Sequence, residues 1–241
     1  MPIRISAHRG NTGLAPENTL ATCKNALRLR LNFIELDVRT SADGQLVILH
    51  DETLNRTTNG KGLLKNFSYA DLRQLSAANG MDAFSKEKIP SLEEVCQLIS
   101  KWNRWHLKKT FLYVDCKDVA ARPLVSILQK YHLAQESCFY GNDSFLVSLK
   151  NEYPKARLMP SISKKEDISW KTSLLHPYAF DANWKTLSPE FVQEVHAKNI
   201  QLFVDLLGTL DNVENYQKAA KMGVDLIQTD KPLLLLNTLH N

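Results

Sequence analysis

The sequence predicts an α/β fold of the (β/α)8 barrel class, and three observations support this prediction. Short apolar runs alternate with helix-period stretches along most of the chain. Such alternation is typical of βαβ units and of a parallel sheet. The chain has 241 residues, of which 44% are hydrophobic, so a full core can form. About eight strand–helix repeats in a chain of this length favour a closed barrel over an open sheet.

The apolar runs define the predicted strands in chain order. These runs are Ile3–Ala7, Phe33–Val38, Leu46–Leu49, Phe111–Val114, Cys138–Tyr140, Arg157–Met159, Tyr178–Phe180, Ile200–Val204 and Val224–Ile227. Between most of them, the spacing of apolar residues predicts helices. The predicted helices include Thr19–Leu31, Ser91–Asn103, Ala120–Tyr131, Asp143–Glu152, Pro189–Lys198 and Asp211–Met222.

One interruption of this pattern separates Leu49 from the next clear helix. The segment Asp51–Pro90 contains several glycines and a short helical run near Tyr69–Leu75. We interpret it as an insertion after an early strand and not as a separate core. Residues 1–241 are therefore predicted to form a single barrel domain, with an insertion at 51–90.

Composition and charge exclude several classes of protein. The formal net charge is +4, and the basic residues are scattered, which slightly favours anionic small-molecule substrates and is too weak for nucleic acid. The chain has no 18-residue apolar run and no N-terminal signal pattern, which predicts no stable membrane anchoring. The expected location is cytoplasmic, or exported if a signal peptide was removed before this numbering.

The four cysteines form no C-x-x-C pair; two disulfides are possible, but buried free thiols are expected.

Polar side chains collect at the downstream ends of four predicted strands. They are His8 and Arg9, Glu35 and Asp37, His50 and Asp51, and Asp115 and Lys117. The carboxyl ends of barrel strands meet at one mouth, where active sites lie. These side chains are therefore predicted to converge, although they come from distant parts of the chain.

The carboxylates in this set indicate a metal site. Glu35 and Asp37 are two residues apart on a strand, so both side chains point to the same face. Two carboxylates pointing together into a barrel need a cation to stay charged at low cost. With Asp115 they provide three hard oxygen donors, which suit Mg²⁺ or Ca²⁺ better than zinc.

The basic residues indicate a phosphate near the metal. Lys117 shares a strand face with Asp115, and a lysine beside a metal is reasonable if an anion lies between them. Arg9 offers a planar fork for phosphoryl oxygens. His8 and His50 could divide the work of general base and general acid.

Each of these features also has a simpler interpretation. An isolated E-x-D in a strand is more often an ion pair, and an isolated histidine after a strand is more often structural. Arg56 could simply hold a loop in place. The shared position at strand ends is what favours a functional site.

The order of these motifs resembles the glycerophosphodiester phosphodiesterase family. The matching strings lie in residues 8–62 and again near 223–232. They are His8-Arg9-Gly10, Pro16-Glu17-Asn18-Thr19, Glu35-x-Asp37, Thr40-x-x-Asp43-Gly44, His50-Asp51, Leu54-x-Arg56-Thr57-Thr58-x-Gly60-x-Gly62 and Gly223-Val224-Asp225-x-Ile227-x-Thr229-Asp230-x-Pro232. Each string is weak by itself, and together in one order they are specific.

The resemblance implies a phosphodiesterase-type TIM barrel. Such an enzyme uses a divalent metal to hydrolyse glycerophosphodiesters to sn-glycerol 3-phosphate and an alcohol. It implies that His8 and His50 are the acid/base pair, that Glu35 and Asp37 are metal ligands, and that Arg9 contacts phosphate. It also implies that the insertion lies over the barrel mouth as a small extra module.

Two positions depart from the family pattern. The family commonly has a glutamate where Asp115 stands, and the shorter acid could place a water between it and the metal. The family often has Trp-Thr-Val-Asn in a late strand, where this chain has Phe203-Val204-Asp205-Leu206. Phe203 could keep an apolar wall, and Trp184 could provide an aromatic surface or lie in a surface loop.

Two other functions remain open from the sequence. One is a lysophospholipase D or phosphoinositide-type phospholipase on the same barrel, which would need an apolar rim for acyl chains. The apolar residues of the insertion could form this rim or pack internally; they are Phe67, Leu72, Leu75, Met81 and Phe84. The other is a catalytically silent phosphodiester-binding protein, which the presence of both histidines and both carboxylates disfavours.

Overall fold

A computed structural model describes residues 2–240 as a barrel of parallel strands surrounded by helices. The strands are β1 Arg4–Ala7, β2 Phe33–Thr40, β3 Leu46–Ile48, β4 Phe111–Cys116, β5 Cys138–Tyr140, β6 Arg157–Met159, β7 Ser161–Ile162, β8 Ala179–Ala182, β9 Gln201–Leu206 and β10 Leu226–Thr229. The helices are α1 Leu20–Arg28, α2 Tyr69–Leu72, α3 Leu92–Trp105, α4 Ala121–Lys130, α5 Asp143–Glu152, α6 Glu166–Leu175, α7 Pro189–His196, α8 Val213–Met222 and α9 Pro232–His240.

The strand order closes the sheet into a barrel. The path is β6-β5-β4-β2-β1-β10-β9-β8-β7, and its neighbouring strands run parallel. β6 and β7 are two short parts of one strand position, separated by Pro160, which lacks a backbone N–H for the ladder. Backbone bonds continue across this break, because Asp181 N donates to Pro160 O at 3.1 Å. The predicted (β/α)8 barrel is confirmed.

Side chains that point into the barrel form two layers, because successive strand residues alternate between the two faces of the sheet. The lower layer is an apolar cluster of Phe33, Tyr113, Cys138, Met159, Ala179, Phe203 and Leu226. Two residues further along the same strands, the inward positions are Glu35, Asp115, Tyr140, Ser161, Asp181, Asp205 and Gln228. The lower layer fills the barrel, and the upper layer makes the floor of its mouth.

Side chains on the outward face of the strands pack under the helices. Ile34, Leu36 and Val38 of β2 are buried in the main core, as the alternation of this strand predicts. The helices begin at capping residues that accept backbone hydrogen bonds. Thr19 makes a capping box with Thr22 in α1, and Ser91 makes one with Glu94 in α3.

The predicted strand Leu46–Leu49 is present, but it is not a barrel strand. β3 runs antiparallel to β2, with Val38 opposite Ile48 and Thr40 opposite Leu46. The expectation that His50 follows the carboxyl end of a barrel strand was therefore wrong. His50 reaches the mouth because β3 returns along the end of β2, where Leu49 N donates to Asp37 O at 3.1 Å.

Two further differences from the sequence reading concern helices. α6 and α9 were not among the predicted helices. In α6 the buried side chains are Ile168, Lys171 and Leu175, and Lys171 Nζ lies 2.7 Å from Asp143 Oδ2. Lys171 stands where an apolar residue would be expected on the buried face of α6, so the apolar spacing that predicts a helix is interrupted.

The segment between β3 and α3 packs on a small apolar cluster of its own. This cluster consists of Val47, Leu49, Leu54, Leu64, Leu72, Ala77 and Ile89, with Phe67, Tyr69 and Leu75 partly buried against it. Two 3-10 turns and α2 are the regular structure within the segment.

The described residues contain four free cysteines, all of them buried. Burial raises the pKa of the Cys23 thiol to about 12, so it is protonated and unreactive near neutral pH. Across residues 2–240, none of the helices combines the length and apolar character needed to span a bilayer.

Gly10→Ala should destabilise the fold, because this turn needs glycine for two reasons. Gly10 has a φ of +84°, and an added Cβ would lie 2.5 Å from both Cβ and Oγ1 of Thr22. We expect the free energy of unfolding to fall by about 1–3 kcal/mol, measured by urea denaturation. Gly13→Ala is the matched control, since no atom lies within 4 Å of its added Cβ. Equal stability of the two variants would contradict this account of the turn.

Candidate active site

All seven residues predicted to form the site line one cavity of about 230 Å³ at the barrel mouth. They are His8, Arg9, Glu35, Asp37, His50, Asp115 and Lys117. Tyr113, Tyr140, Asp205 and Gln228 complete the lining. The structure therefore brings together residues that are up to 109 positions apart, and none of the predicted set lies elsewhere.

The turn after β1 carries His8 and Arg9 into the cavity. Arg9 has a φ of +49° and Gly10 a φ of +84°, so the chain reverses sharply at the end of the strand. The backbone N–H of Arg9 donates to Glu35 Oε2 at 2.7 Å. Positive φ at a non-glycine residue costs free energy and is typical of functional turns.

Three carboxylates form a compact cluster in this cavity. Ligand atoms of Glu35, Asp37 and Asp115 all lie within 4.8 Å of one another. Glu35 and Asp37 are almost fully buried, with 2% and 1% of their surface exposed. Burial, together with the charges of Asp37 and Asp115, raises the pKa of Glu35 well above its ordinary value. Burial also raises the pKa of Asp115, although Lys117 opposes this shift.

Cationic and amide groups offset part of this negative charge. Lys117 Nζ lies 2.6 Å from Asp115 Oδ2 and 3.1 Å from Asp37 Oδ1. Asn18 Nδ2 donates to Asp37 Oδ2 at 2.8 Å. Burial lowers the pKa of Lys117, but the charges of Asp115 and Asp37 outweigh it and raise the pKa overall. Lys117 therefore remains an ammonium group.

Each of the two histidines is bound at Nδ1 by a carboxylate of its own. His8 Nδ1 lies 2.7 Å from Asp230 Oδ1, and His50 Nδ1 lies 2.7 Å from Asp51 Oδ1. Burial raises the pKa of Asp230, but its bond with His8 outweighs burial and leaves the pKa lowered. Both carboxylates thus favour the tautomer with the proton on Nδ1, which leaves Nε2 free to exchange protons.

Comparison with known proteins decides the family. A profile of the glycerophosphoryl diester phosphodiesterase family matches residues 8–234. The chain belongs to this family. A glycerophosphodiester phosphodiesterase of Caldanaerobacter subterraneus subsp. tengcongensis is 32% identical over 251 residues, covering 98% of this chain and 98% of the relative.

Solved structures of family members share the fold. A structure of an Oleispira antarctica phosphodiesterase in complex with the product sn-glycerol-3-phosphate has 26% identity and a TM-score of 0.88, covering 100% of this chain and 98% of that one. A crystal structure of glycerophosphodiester phosphodiesterase from Agrobacterium tumefaciens has 26% identity and a TM-score of 0.83, covering 98% and 99%.

Sequence reasoning did not assign roles to several residues that hold the site. Asp230 and Asp51 orient the histidines, Asn18 bonds Asp37, and Glu17 Oε1 accepts from Arg9 NH1 at 2.9 Å. All four stand inside the family-like strings, so the positions were visible. The contact of Asp230 with His8 joins the last and first strands, and that of Asn18 with Asp37 joins a loop to β2, so these two depend on the fold. Asp51 directly follows His50, and Glu17 is eight residues from Arg9, so these two contacts are local in sequence.

A second cavity of about 500 Å³ adjoins the first and shares Tyr140 and Asp205 with it. Trp184 begins a 3-10 turn after β8, lines this cavity and is partly buried against the main core. Among the described residues, Oδ1 of Asp181 and Oδ1 of Asp205 are buried without a hydrogen-bond partner. Burial raises the pKa of Asp205 to about 6, although the charge of His8 opposes the shift.

The three-carboxylate cluster fits a hard divalent cation by its donor chemistry. It supplies oxygen ligands alone, which Mg²⁺ and Ca²⁺ prefer. A bound cation would also relieve the mutual repulsion that raises the pKa of Glu35.

Removing metal should make stability fall as pH rises. The pKa of Glu35 is raised above 4.5 in the folded chain, so the stability this group contributes is fully present below 4.5. It is lost as pH rises through the raised value. With EDTA, the free energy of unfolding should therefore decrease above pH 4.5, and Mg²⁺ or Ca²⁺ should restore it most at the higher pH values.

Glu35→Gln should flatten this pH dependence and weaken metal binding in calorimetry. Loss of a residue that only hydrogen-bonds to a metal ligand lowers metal affinity about 10–100-fold. Loss of Glu35, a direct ligand in this arrangement, should therefore lower it by at least about 100-fold. Glu152→Gln, at an exposed glutamate at the end of α5, is the matched control. An affinity for metal that is the same in both variants would remove Glu35 from the site.

Proposed function

We propose that this chain hydrolyses glycerophosphodiesters to sn-glycerol 3-phosphate and an alcohol. The observation that carries the proposal is a single cavity in which two carboxylate-held histidines lie beside three clustered carboxylates. Family membership agrees with it, as does the glycerophosphodiester phosphodiesterase activity named for a relative 32% identical over its whole length. The chain is then a phosphoric diester hydrolase.

In this proposal Glu35, Asp37 and Asp115 hold Mg²⁺ or Ca²⁺. The cation, when bound, supplies Lewis-acid stabilisation of negative charge on the phosphoryl group. The three side chains fit this role because they are buried oxygen donors within 4.8 Å of one another.

Arg9 and Lys117 are proposed to bind the phosphoryl oxygens of the substrate. Both cations line the cavity, and both are already held by carboxylates, Arg9 by Glu17 and Lys117 by Asp115. Such pairing fixes a cation in place before the substrate arrives, which reduces the cost of ordering it in the transition state.

His8 and His50 are proposed as the acid/base pair. With Nδ1 protonated and bound to a carboxylate, Nε2 of one imidazole accepts a proton from the nucleophile, which is water or the neighbouring glycerol hydroxyl. Attack by the glycerol hydroxyl would give a cyclic phosphodiester, which a water must then open to sn-glycerol 3-phosphate. Nε2 of the other, in its protonated form, donates to the leaving alkoxide. The two histidines have equivalent carboxylate partners, so either can take either role.

A neighbouring cavity could hold the alcohol portion of the substrate. The cavity that shares Tyr140 and Asp205 with the first offers room for the alcohol portion. We also propose that residues 1–241 act as one catalytic domain, with the insertion at 51–90 over the barrel mouth. In this proposal the insertion contributes Asp51, which bonds His50.

No observation favours the lysophospholipase alternative. An acyl-binding rim needs exposed apolar side chains, whereas Leu72 is buried and Phe67 and Leu75 pack against the small cluster of the insertion. The two remaining candidates, Met81 and Phe84, are half-buried. The catalytically silent alternative is disfavoured by the complete set of site residues in one cavity.

The function is tested by release of sn-glycerol 3-phosphate from a panel of glycerophosphodiesters. We expect release from glycerophosphocholine or a related diester, loss of activity with EDTA, and recovery with Mg²⁺ or Ca²⁺. Lysophosphatidylcholine is the comparison substrate and should be cleaved poorly. Preference for the lysolipid, or turnover insensitive to chelator, would contradict the proposal.

Replacing either proposed catalytic histidine should abolish turnover without unfolding the chain. We expect His8→Ala and His50→Ala each to reduce kcat by about 10²–10⁴-fold, the usual contribution of acid/base catalysis. His196→Ala is the control, since this exposed histidine ends α7 and pairs with Asp225. A variant that keeps most of its activity would show that the replaced histidine transfers no proton.

A further inference from the structure

The guanidinium group of Arg56, in the insertion, binds two carboxylates: Asp51 at the start of the insertion and Glu17 in the turn before α1. Arg56 Nε lies 2.8 Å from Asp51 Oδ2, and Arg56 NH2 lies 2.8 Å from Asp51 Oδ1. Arg56 NH1 and NH2 also donate to the two oxygens of Glu17 at 2.7 and 2.9 Å. One planar group therefore makes two forked contacts, which a lysine cannot do.

Each of these carboxylates holds a different residue of the proposed site. Asp51 binds His50 Nδ1 at 2.7 Å, and Glu17 accepts from Arg9 NH1 at 2.9 Å. Arg56 is thus linked to His50, a proposed acid/base group, through Asp51, and to Arg9, the proposed phosphate contact, through Glu17. Arg56 itself does not line the cavity.

The charge state of this network depends on Arg56. Its hydrogen bonds hold the pKa of Asp51 well below the ordinary value. Burial raises the pKa of Glu17, but the bond from Arg56 and the charge of Arg9 outweigh it and leave the pKa lowered. Both groups therefore stay ionised as acceptors toward His50 and Arg9.

The insertion does not need Arg56 to keep its own shape. Leu54 and Leu64 are buried in the cluster that anchors it, and Thr53 pairs with Leu63 in a short antiparallel bridge. Asn55 Oδ1 accepts from Gly62 N at 2.9 Å, which closes the same loop. Exposed ion pairs contribute little to stability, and the side chain of Arg56 is 43% exposed.

We propose that Arg56 is a positioning residue that fixes His50 through Asp51 and Arg9 through Glu17. This inference rests on the proposed function for its kinetic consequences and on the geometry alone for its structural ones. It assigns the insertion a task in the reaction: one guanidinium group sets the spacing between the proton-transfer group and the phosphate contact.

The kinetic test compares Arg56→Ala and Arg56→Lys with Arg73→Ala, using glycerophosphocholine with Mg²⁺ or Ca²⁺. Arg73 is the matched control, because it ties the same insertion to Glu94 of α3 and lies outside the cavity. We expect kcat to fall about 100-fold and KM to rise in Arg56→Ala, as a small misplacement of a catalytic group causes. In Arg56→Lys, we expect the rise in KM to be smaller than in Arg56→Ala, while kcat stays almost as low. Arg73→Ala should have the kcat and KM of the parent chain.

A double-mutant cycle shows whether Arg56 acts through Asp51. If it does, adding Arg56→Ala to Asp51→Ala should reduce kcat by less than Arg56→Ala does in the parent chain, because the contact with Asp51 is already absent and only the route through Glu17 remains to be lost. If the reductions in kcat of the two single variants multiply in full in the double variant, Arg56 does not act through Asp51, and this part of the proposal is overturned.

A spectroscopic test separates this inference from the proposed function. Imidazole ¹⁵N shifts report the tautomer of His50 at about pH 8, where an ordinary imidazole is neutral. His50→Gln identifies the signal. We expect the Nδ1-protonated form in the parent chain and in Arg73→Ala, and a mixture of tautomers in Arg56→Ala.

The outcomes of the two tests are distinct. A parent chain that releases no sn-glycerol 3-phosphate would defeat the proposed function, and the His50 tautomer would still decide the role of Arg56. An Arg56→Ala variant with the His50 spectrum of the parent chain would overturn the positioning role. So would one with the kinetics of Arg73→Ala.

Discussion

The repulsion among carboxylates in the barrel mouth is the constraint on which the rest of the site depends. Glu35, Asp37 and Asp115 stand on adjacent strands, and the apolar layer beneath them keeps water away from that side. In such surroundings, like charges within a few ångströms of one another are costly unless cations or donors balance them. Lys117, Asn18 and the backbone N–H of Arg9 supply part of that balance. A divalent cation is the natural way to complete it.

Closure of the barrel brings together His8 and Asp230, one of the two proposed histidine–carboxylate pairs. β1 and β10 are the first and last strands of the chain, and they pair directly. The residues just beyond them, His8 and Asp230, therefore meet at the mouth, where His8 N also donates to Thr229 O. Asp230 is held in turn by Asp211, whose Oδ2 accepts from Asp230 N at 2.8 Å. The proposed proton-transfer group thus forms only when the sheet is complete.

Strand periodicity was enough to predict the acidic side of the site. The spacing of Glu35 and Asp37 places both side chains on one face of the strand, and the same rule applies to Asp115 and Lys117. The rule failed for His50, because it does not tell a barrel strand from the returning strand of a hairpin. It also could not give the partner of His8, since Asp230 meets His8 only through closure. The insertion's contact from Arg56 to Glu17 depends on tertiary structure in the same way.

The two proposed acid/base groups therefore differ in how the fold supports them. His8 extends directly from a barrel strand, and its side chain is 15% exposed, whereas His50 follows a hairpin strand and its side chain is 36% exposed. The carbonyl of His50 is fixed by Arg39, which donates to it from Nε and NH2 at 2.9 and 2.8 Å. Its ring is fixed by Asp51, which is bound by Arg56 of the insertion. Because the carboxylate cluster lies on β2 and β4, local opening of the insertion would release His50 and leave the cluster in place. The proposed metal ligands and His8 are thus supported by barrel strands, whereas the ring of His50 depends on the insertion, and Arg56 joins the two parts through Glu17 and Arg9.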